Sequence, residues 1–209
     1  FTPDAALKGK KLFLHFEAIM GKSKIYVNGK LLAEHFGGYL PVVVDVTDAL
    51  EFGKENLIAV WADNSNDPNY PPGKQQEVLD FTYFGGIYRD CWLIAHNQVF
   101  ITDPNYENEE AGGGLFVAYN NVSDHSAEVL LKIQIRNSGR KAFKGVVEYE
   151  LQQPDGQQAA SLNSVIRIKP GKSTYSSDKL TVKSPMLWSP ENPALYNLIV
   201  RIRDTFFSQ

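Results

Sequence analysis

Val129-Leu130-Leu131-Lys132-Ile133-Gln134-Ile135-Arg136 decides the fold class of this 209-residue chain. Val129, Leu131, Ile133 and Ile135 fall on one face at period two, and Leu130, Lys132, Gln134 and Arg136 on the other. That is the alternation of a half-buried strand. The pattern recurs downstream. Val147, Tyr149 and Leu151 alternate with Glu148 and Glu150 up to the turn Pro154-Asp155-Gly156. Val165 to Ile168 and Leu180 to Val182 follow, and Tyr196, Leu198, Val200 and Ile202 share one face. Upstream, Leu12, Leu14 and Phe16 alternate with Phe13, His15 and Glu17. Ile25-Tyr26-Val27 and Lys30-Leu31-Leu32 flank Asn28-Gly29, a pair that accepts the positive φ of a type I′ hairpin turn. Val42 to Val46 and Leu57 to Trp61 complete the series. No segment keeps the 3.6-residue period over three turns, and the only helical candidate, Thr47 to Phe52, is one turn long. The chain is predicted to be all-β.

Composition changes at Asp103 to Gly114, DPNYENEEAGGG, an acidic and glycine-rich passage of the kind that joins domains. Two domains are therefore expected, residues 1–103 and 104–209, and the length suffices for a core in each. Five or more strands with closely spaced turns read the second as an immunoglobulin-like β-sandwich, without the Cys…Trp…Cys spacing of antibody domains. Asp63 to Glu77, DNSNDPNYPPGKQQE, is a long polar excursion, either the rim of a binding site or a mobile surface loop.

Hydrophobic content of 43% and charged content of 22% are globular values. A formal charge of −3 and a pI near 5.8 argue against nucleic acid as a partner. No run approaches the ~18–20 apolar residues of a membrane span. The single cysteine, Cys91, cannot form an internal disulfide and reads as a small hydrophobe on an apolar strand. The chain opens on Phe1, so the compartment is not legible from the terminus; periplasm or secretion is expected over the cytoplasm.

Asp80-Phe81-Thr82-Tyr83-Phe84-Gly85-Gly86-Ile87-Tyr88-Arg89-Asp90-Cys91-Trp92-Leu93 carries the chemistry. A pyranose asks for rings against its C–H face and a carboxylate to accept hydroxyl hydrogens, and this stretch holds both. Taken ring by ring, Phe81, Tyr83, Phe84 and Tyr88 read first as core, Gly85-Gly86 as a turn, and Arg89-Asp90 as a structural ion pair. Asp80 is different, because a carboxylate between Leu79 and Phe81 must be paired, capped or presented to something.

Other site chemistries fail. Asp63-Asn64-Ser65-Asn66-Asp67 has the start of a calcium loop, but Pro68 stands where glycine is required and Lys74 where a bidentate Glu is needed. His15, His35, His96 and His125 have no zinc spacing, and His35 reads as a hydrogen-bonded structural histidine. No metal site is predicted. Asn121-Val122-Ser123 is a glycosylation sequon whose use depends on the source.

The Asp80–Leu93 stretch resembles the signature that closes the N-terminal domain of glycoside hydrolase family 2, the family of β-galactosidases and β-glucuronidases. Ile25-Tyr26-Val27-Asn28-Gly29-Lys30 through His35-Phe36-Gly37-Gly38-Tyr39-Leu40-Pro41 is similar to a second signature of that domain. Leu187-Trp188-Ser189-Pro190-Glu191-Asn192-Pro193-Ala194-Leu195-Tyr196 resembles the closing loop of the family's second domain, with Trp188 read as core.

The resemblance implies a jelly-roll, galactose-binding-like β-sandwich at 1–103, followed by the immunoglobulin-like domain. It implies that Asp80 contacts the substrate sugar, a β-galactoside-type glycan. The two glutamates that break the glycosidic bond belong to an (α/β)₈ barrel after these domains, so no catalytic residue is expected in this chain. In some members the aspartate matching Asp80 also ligates a monovalent cation; otherwise no cofactor is implied. Strands usually found before the position of Leu7 are absent, and Thr205-Phe206-Phe207-Ser208-Gln209 does not look like the usual lead into the barrel. A homo-oligomer is compatible with the sequence. A free-standing carbohydrate-binding protein and a structural interaction module are the alternatives to a portion of a glycosidase.

Overall fold

The structure, a computed structural model, describes residues 1–204; Thr205 to Gln209, set apart above, lie outside the described residues. The chain forms two compact units, 1–97 and 98–209.

The first unit contains β1 (Lys11–Phe16), β2 (Ile19–Met20), β3 (Lys22–Val27), β4 (Lys30–Phe36), β5 (Val42–Asp45), β6 (Ile58–Asp63), β7 (Gly86–Ile87) and β8 (Cys91–His96). Antiparallel pairing gives sheets ordered β5–β1–β8 and β4–β3–β6, with β2 and β7 as a short third pair. Leu12, Leu14 and Phe16 meet Ile25 and Val27 in one core with Val42 and Val44, so the two longer sheets form a sandwich. The β3–β4 turn is built as its residues require: φ is +50° at Asn28 and +80° at Gly29. Thr47 to Phe52 is not helical. It is a turn in which the Ala49 and Leu50 amides donate to the Val46 carbonyl.

The second unit contains β9 (Val99–Ile101), α1 (Pro104–Glu107), β10 (Leu115–Asn120), β11 (Ser126–Asn137), β12 (Phe143–Gln152), β13 (Gln158–Ile168), β14 (Lys172–Lys183) and β15 (Asn197–Asp204). One sheet runs β10–β11–β14 with β9 also on β11; the other runs β13–β12–β15. Val129, Leu131, Ile133 and Ile135 face Val147, Tyr149 and Leu151 across the core, joined by Tyr196, Leu198, Val200 and Ile202. The division falls at Asn97 because β9 already pairs with β11, Ile101 opposite Ile135.

Asp103 to Gly114 is more than a connection. Asp103 caps α1 by accepting from the Asn105 and Tyr106 amides, and Pro104 opens the helix without losing a needed donor. The segment then covers Gln134, which alternation had assigned to solvent. Gln134 is buried; it accepts from Thr102 Oγ1 at 2.6 Å and donates to Glu109 Oε2 at 3.1 Å and to the Tyr175 hydroxyl at 3.0 Å. Burial pushes the Glu107 carboxyl up despite Arg136 at 2.8 Å.

The second core also holds an inward-pointing carboxylate. Asp178 accepts from Tyr149 at 3.0 Å and from Ser176 at 2.6 Å. Burial, followed by this charged partner, pushes the Tyr149 phenol well above its ordinary pKa. Tyr149→Phe should cost about 1.5–3 kcal/mol, the worth of a hydrogen bond to a charged group. Tyr149→Ala should cost about 3–5 kcal/mol, as for other buried aromatics. Native-state amide exchange on β12 measures both losses.

Candidate functional site

The two motif-bearing blocks of the first unit converge at one end of its sandwich. Ile19 and Met20 pair with Ile87 and Gly86, and the Tyr88 hydroxyl donates to the Gly38 carbonyl at 2.5 Å. Gly21, between β2 and β3, sits at φ +84°, and a Cβ there would lie 2.1 Å from the Asp63 carbonyl oxygen. Only glycine lets these backbones meet. Gly86 needs its residue type for a φ of +74°. A Cβ on Gly85 would meet the Asn64 side chain at 2.6 Å, and that side chain can rotate away.

The excursion after β6 is organised by its own carboxylates. Asp63 accepts from the Ser65 amide at 2.9 Å, and Asp67 from the Asn69 amide at 3.0 Å. These backbone donors, with Lys22 beside Asp67 at 3.0 Å, hold both carboxyls below their usual range. Tyr83 donates to Asn66 Oδ1 at 3.2 Å and ties the excursion to the stretch that begins at Asp80.

Asp80 is exposed, and its carboxylate makes no hydrogen bond or ion pair among the described residues. It follows a short 3₁₀ turn at Gln76–Val78 and lines a shallow, open depression with Gln76, Glu77, Leu79, Phe81 and Thr82. No described residue caps it or pairs with it.

Several surrounding readings change. Phe81 and Phe84 are 49% and 71% exposed, so these rings are surface, not core; Tyr83 and Tyr88 are half-buried. Among the described residues Arg89 and Asp90 form no ion pair. The Arg89 guanidinium lies over the Tyr88 ring at 5.6 Å, and the Asp90 carbonyl accepts from the Glu17 amide. Cys91 is exposed on β8, which lies at a sheet edge. His35 Nε2 is buried without a hydrogen-bond partner, and burial pushes its pKa down. The described residues gather no group of three metal-ligating side chains at Asp80 or elsewhere.

The second unit has an apolar cavity of about 600 Å³ that sequence reasoning missed, with Val129, Leu151 and Val182 in its lining. Trp188 lines it, 59% exposed instead of core, beside Tyr119 and Leu195. Nothing there offers the carboxylates that a sugar needs.

Comparison with known proteins decides the family. The sequence model described as glycosyl hydrolases family 2, sugar binding domain, matches residues 1–97, and the model described as glycosyl hydrolases family 2 matches 114–205. The chain belongs to glycoside hydrolase family 2. It is 30% identical over 203 residues to a β-galactosidase of Thermoanaerobacter pseudethanolicus, covering 97% of this chain and 25% of that protein. It is 30% identical over 202 residues to a β-glucuronidase of Formosa agariphila, covering 95% of this chain and 20% of that protein. The crystal structure of Bacteroides uniformis β-glucuronidase superposes with a TM-score of 0.88 at 29% identity, over 100% of this chain and 24% of that one. The chain thus spans about a quarter of the length of these family 2 relatives, at their N-terminal end. Its first unit is the family's sugar-binding domain.

His35 generates a pH prediction. A histidine with a lowered folded pKa binds fewer protons folded than unfolded. The stability it contributes is present above the unfolded value of about 6.5 and is lost as pH falls towards the folded value. Thermal melts of the first unit should drop as pH falls through that unfolded value, and His35→Gln should flatten that slope.

Proposed function

We propose that this chain is the non-catalytic, sugar-binding portion of a β-galactosidase-like enzyme that hydrolyses O-glycosidic bonds, and that Asp80 holds the substrate sugar. One observation carries the reading: the Asp80 carboxylate is exposed, has no partner among the described residues, and shares its depression with the open ring of Phe81. A carboxylate of this kind accepts hydrogen bonds from sugar hydroxyls, and the ring receives the C–H face. The acid and the nucleophile or base that cleave the bond come from the barrel outside these residues. This chain's part is to orient the sugar against them. Glu77 and Asp80 line the depression without a cation among its lining residues, which favours a neutral galactoside over an anionic glucuronide.

In the full-length enzyme, Asp80→Asn should lower kcat/KM on an aryl β-galactoside by roughly 10- to 100-fold. That follows from about 1.5–3 kcal/mol per hydrogen bond to a charged group and tenfold per 1.36 kcal/mol. The melting temperature should hardly move, since no described residue bonds this carboxylate. Unchanged kinetics with a steep loss of stability would refute the assignment. A preference for the aryl β-glucuronide would refute the substrate.

A further inference from the structure

The outer face of the β4–β3–β6 sheet carries an arrangement that the Asp80 reading does not use. Cross-strand register places Phe36, Lys22 and Asp63 in one row and Glu34, Lys24 and Trp61 in the next. Side chains in such rows share a face and touch. Phe36 is 63% exposed and Trp61 46% exposed. Tyr70, from the excursion after β6, tilts over this end of the sheet, its ring centroid 6.4 Å from that of Phe36. Charges interleave with the rings: Lys24 pairs with Glu34 at 2.8 Å and lies 5.9 Å from the Trp61 centroid, while Lys22 lies 5.6 Å from that of Tyr70.

The interleaving selects the partner. A protein surface pressed here would have to desolvate the Lys24–Glu34 and Lys22–Asp67 pairs, at a cost their mutual attraction does not reliably return. A polyanion would meet two lysines already neutralised by Glu34 and Asp67, with Asp63 adding a further negative charge. A neutral saccharide satisfies both features. Its C–H faces rest on the rings, and its hydroxyls bond the ammonium and carboxylate groups without stripping their charge.

We infer that this face is a second saccharide-binding surface, on which Trp61, Phe36 and Tyr70 support the sugar rings of a neutral oligosaccharide and Lys22, Lys24 and Glu34 bond its hydroxyls. It shares no residue with the depression at Asp80. The inference rests on the proposed function only in taking this unit to handle sugar. A surface of this kind would hold a polymeric substrate near the site where it is cut.

The test is calorimetric titration of the chain with galactotetraose and with cellotetraose, alongside the NMR shift of the Trp61 indole N–H. At least one sugar should bind and move that signal. Trp61→Ala and Phe36→Ala should each weaken binding about tenfold, while Trp61→Phe, which keeps a ring, should retain most of it. Asp80→Asn should leave the sugar-induced shift of the Trp61 indole N–H unchanged, whatever it does to heat from the Asp80 depression. If Asp80→Asn abolishes binding and Trp61→Ala does not, the Asp80 reading stands and this one falls. If the ring variants abolish it and Asp80→Asn does not, this one stands whatever becomes of Asp80. Absence of binding by either sugar overturns the inference, as does a dimer that Trp61→Ala dissociates, which would make the face a contact between copies. Should Trp61→Ala not fold, Phe36→Ala and the indole shift decide.

Discussion

Three backbones meet at Gly21, and the site end of the first unit depends on that meeting. Its carbonyl accepts from the Gly37 amide at 3.0 Å, which fixes where β4 ends. Its Cα lies against the Asp63 carbonyl, closer than any side chain allows, which fixes where β6 gives way to the excursion. Its positive φ turns the chain from β2, which pairs with the strand holding Gly86, into β3, which holds Lys22 and Lys24. A methyl group at Gly21 would have to displace backbone instead of a rotatable side chain, so the constraint is stiff. The Asp80 segment and the aromatic sheet face are both placed relative to this junction.

From there the functional argument is one of partners left unfilled. Several carboxylates of this region are occupied: Asp63 and Asp67 by backbone amides, Glu34 by Lys24, Asp45 by Lys11 and Thr47. Asp80 has no partner among the described residues, and the Phe81 ring that lines the same depression is 49% exposed. An exposed ring costs solvation, and the proposed role of Asp80 rests on such a ring standing with a free carboxylate in one depression.

Much of this was legible in the sequence, because strands half-buried on a core advertise themselves by period two. The hairpin at Asn28-Gly29, the inward rows of β11, β12 and β15, and the family signatures were all readable. Burial of individual aromatics was not. Phe81, Phe84 and Trp188 look like core in a local window, and only the tertiary structure shows that no strand covers them. Gln134 failed in the opposite sense, since alternation cannot foresee that Asp103 to Gly114 folds back over an outer face. The boundary at Asn97 was hidden for the same reason: β9 joins the second unit through pairing with β11, a contact that composition does not encode. The aromatic row on β4–β3–β6 was invisible as a motif, because its members come from three strands and a loop.

The most direct test of the account is amide hydrogen exchange on Gly21→Ala. Its Cβ cannot coexist with the Asp63 carbonyl, so protection should fall about tenfold or more at the Gly37 amide and along the β2–β7 pair, a loss of roughly 1.4 kcal/mol or more. Protection on β11 and β12 in the other unit should stay as it was. Unchanged protection at Gly37 and β7 would show that the chain absorbs the methyl group elsewhere, and that the site surface is not organised by this junction.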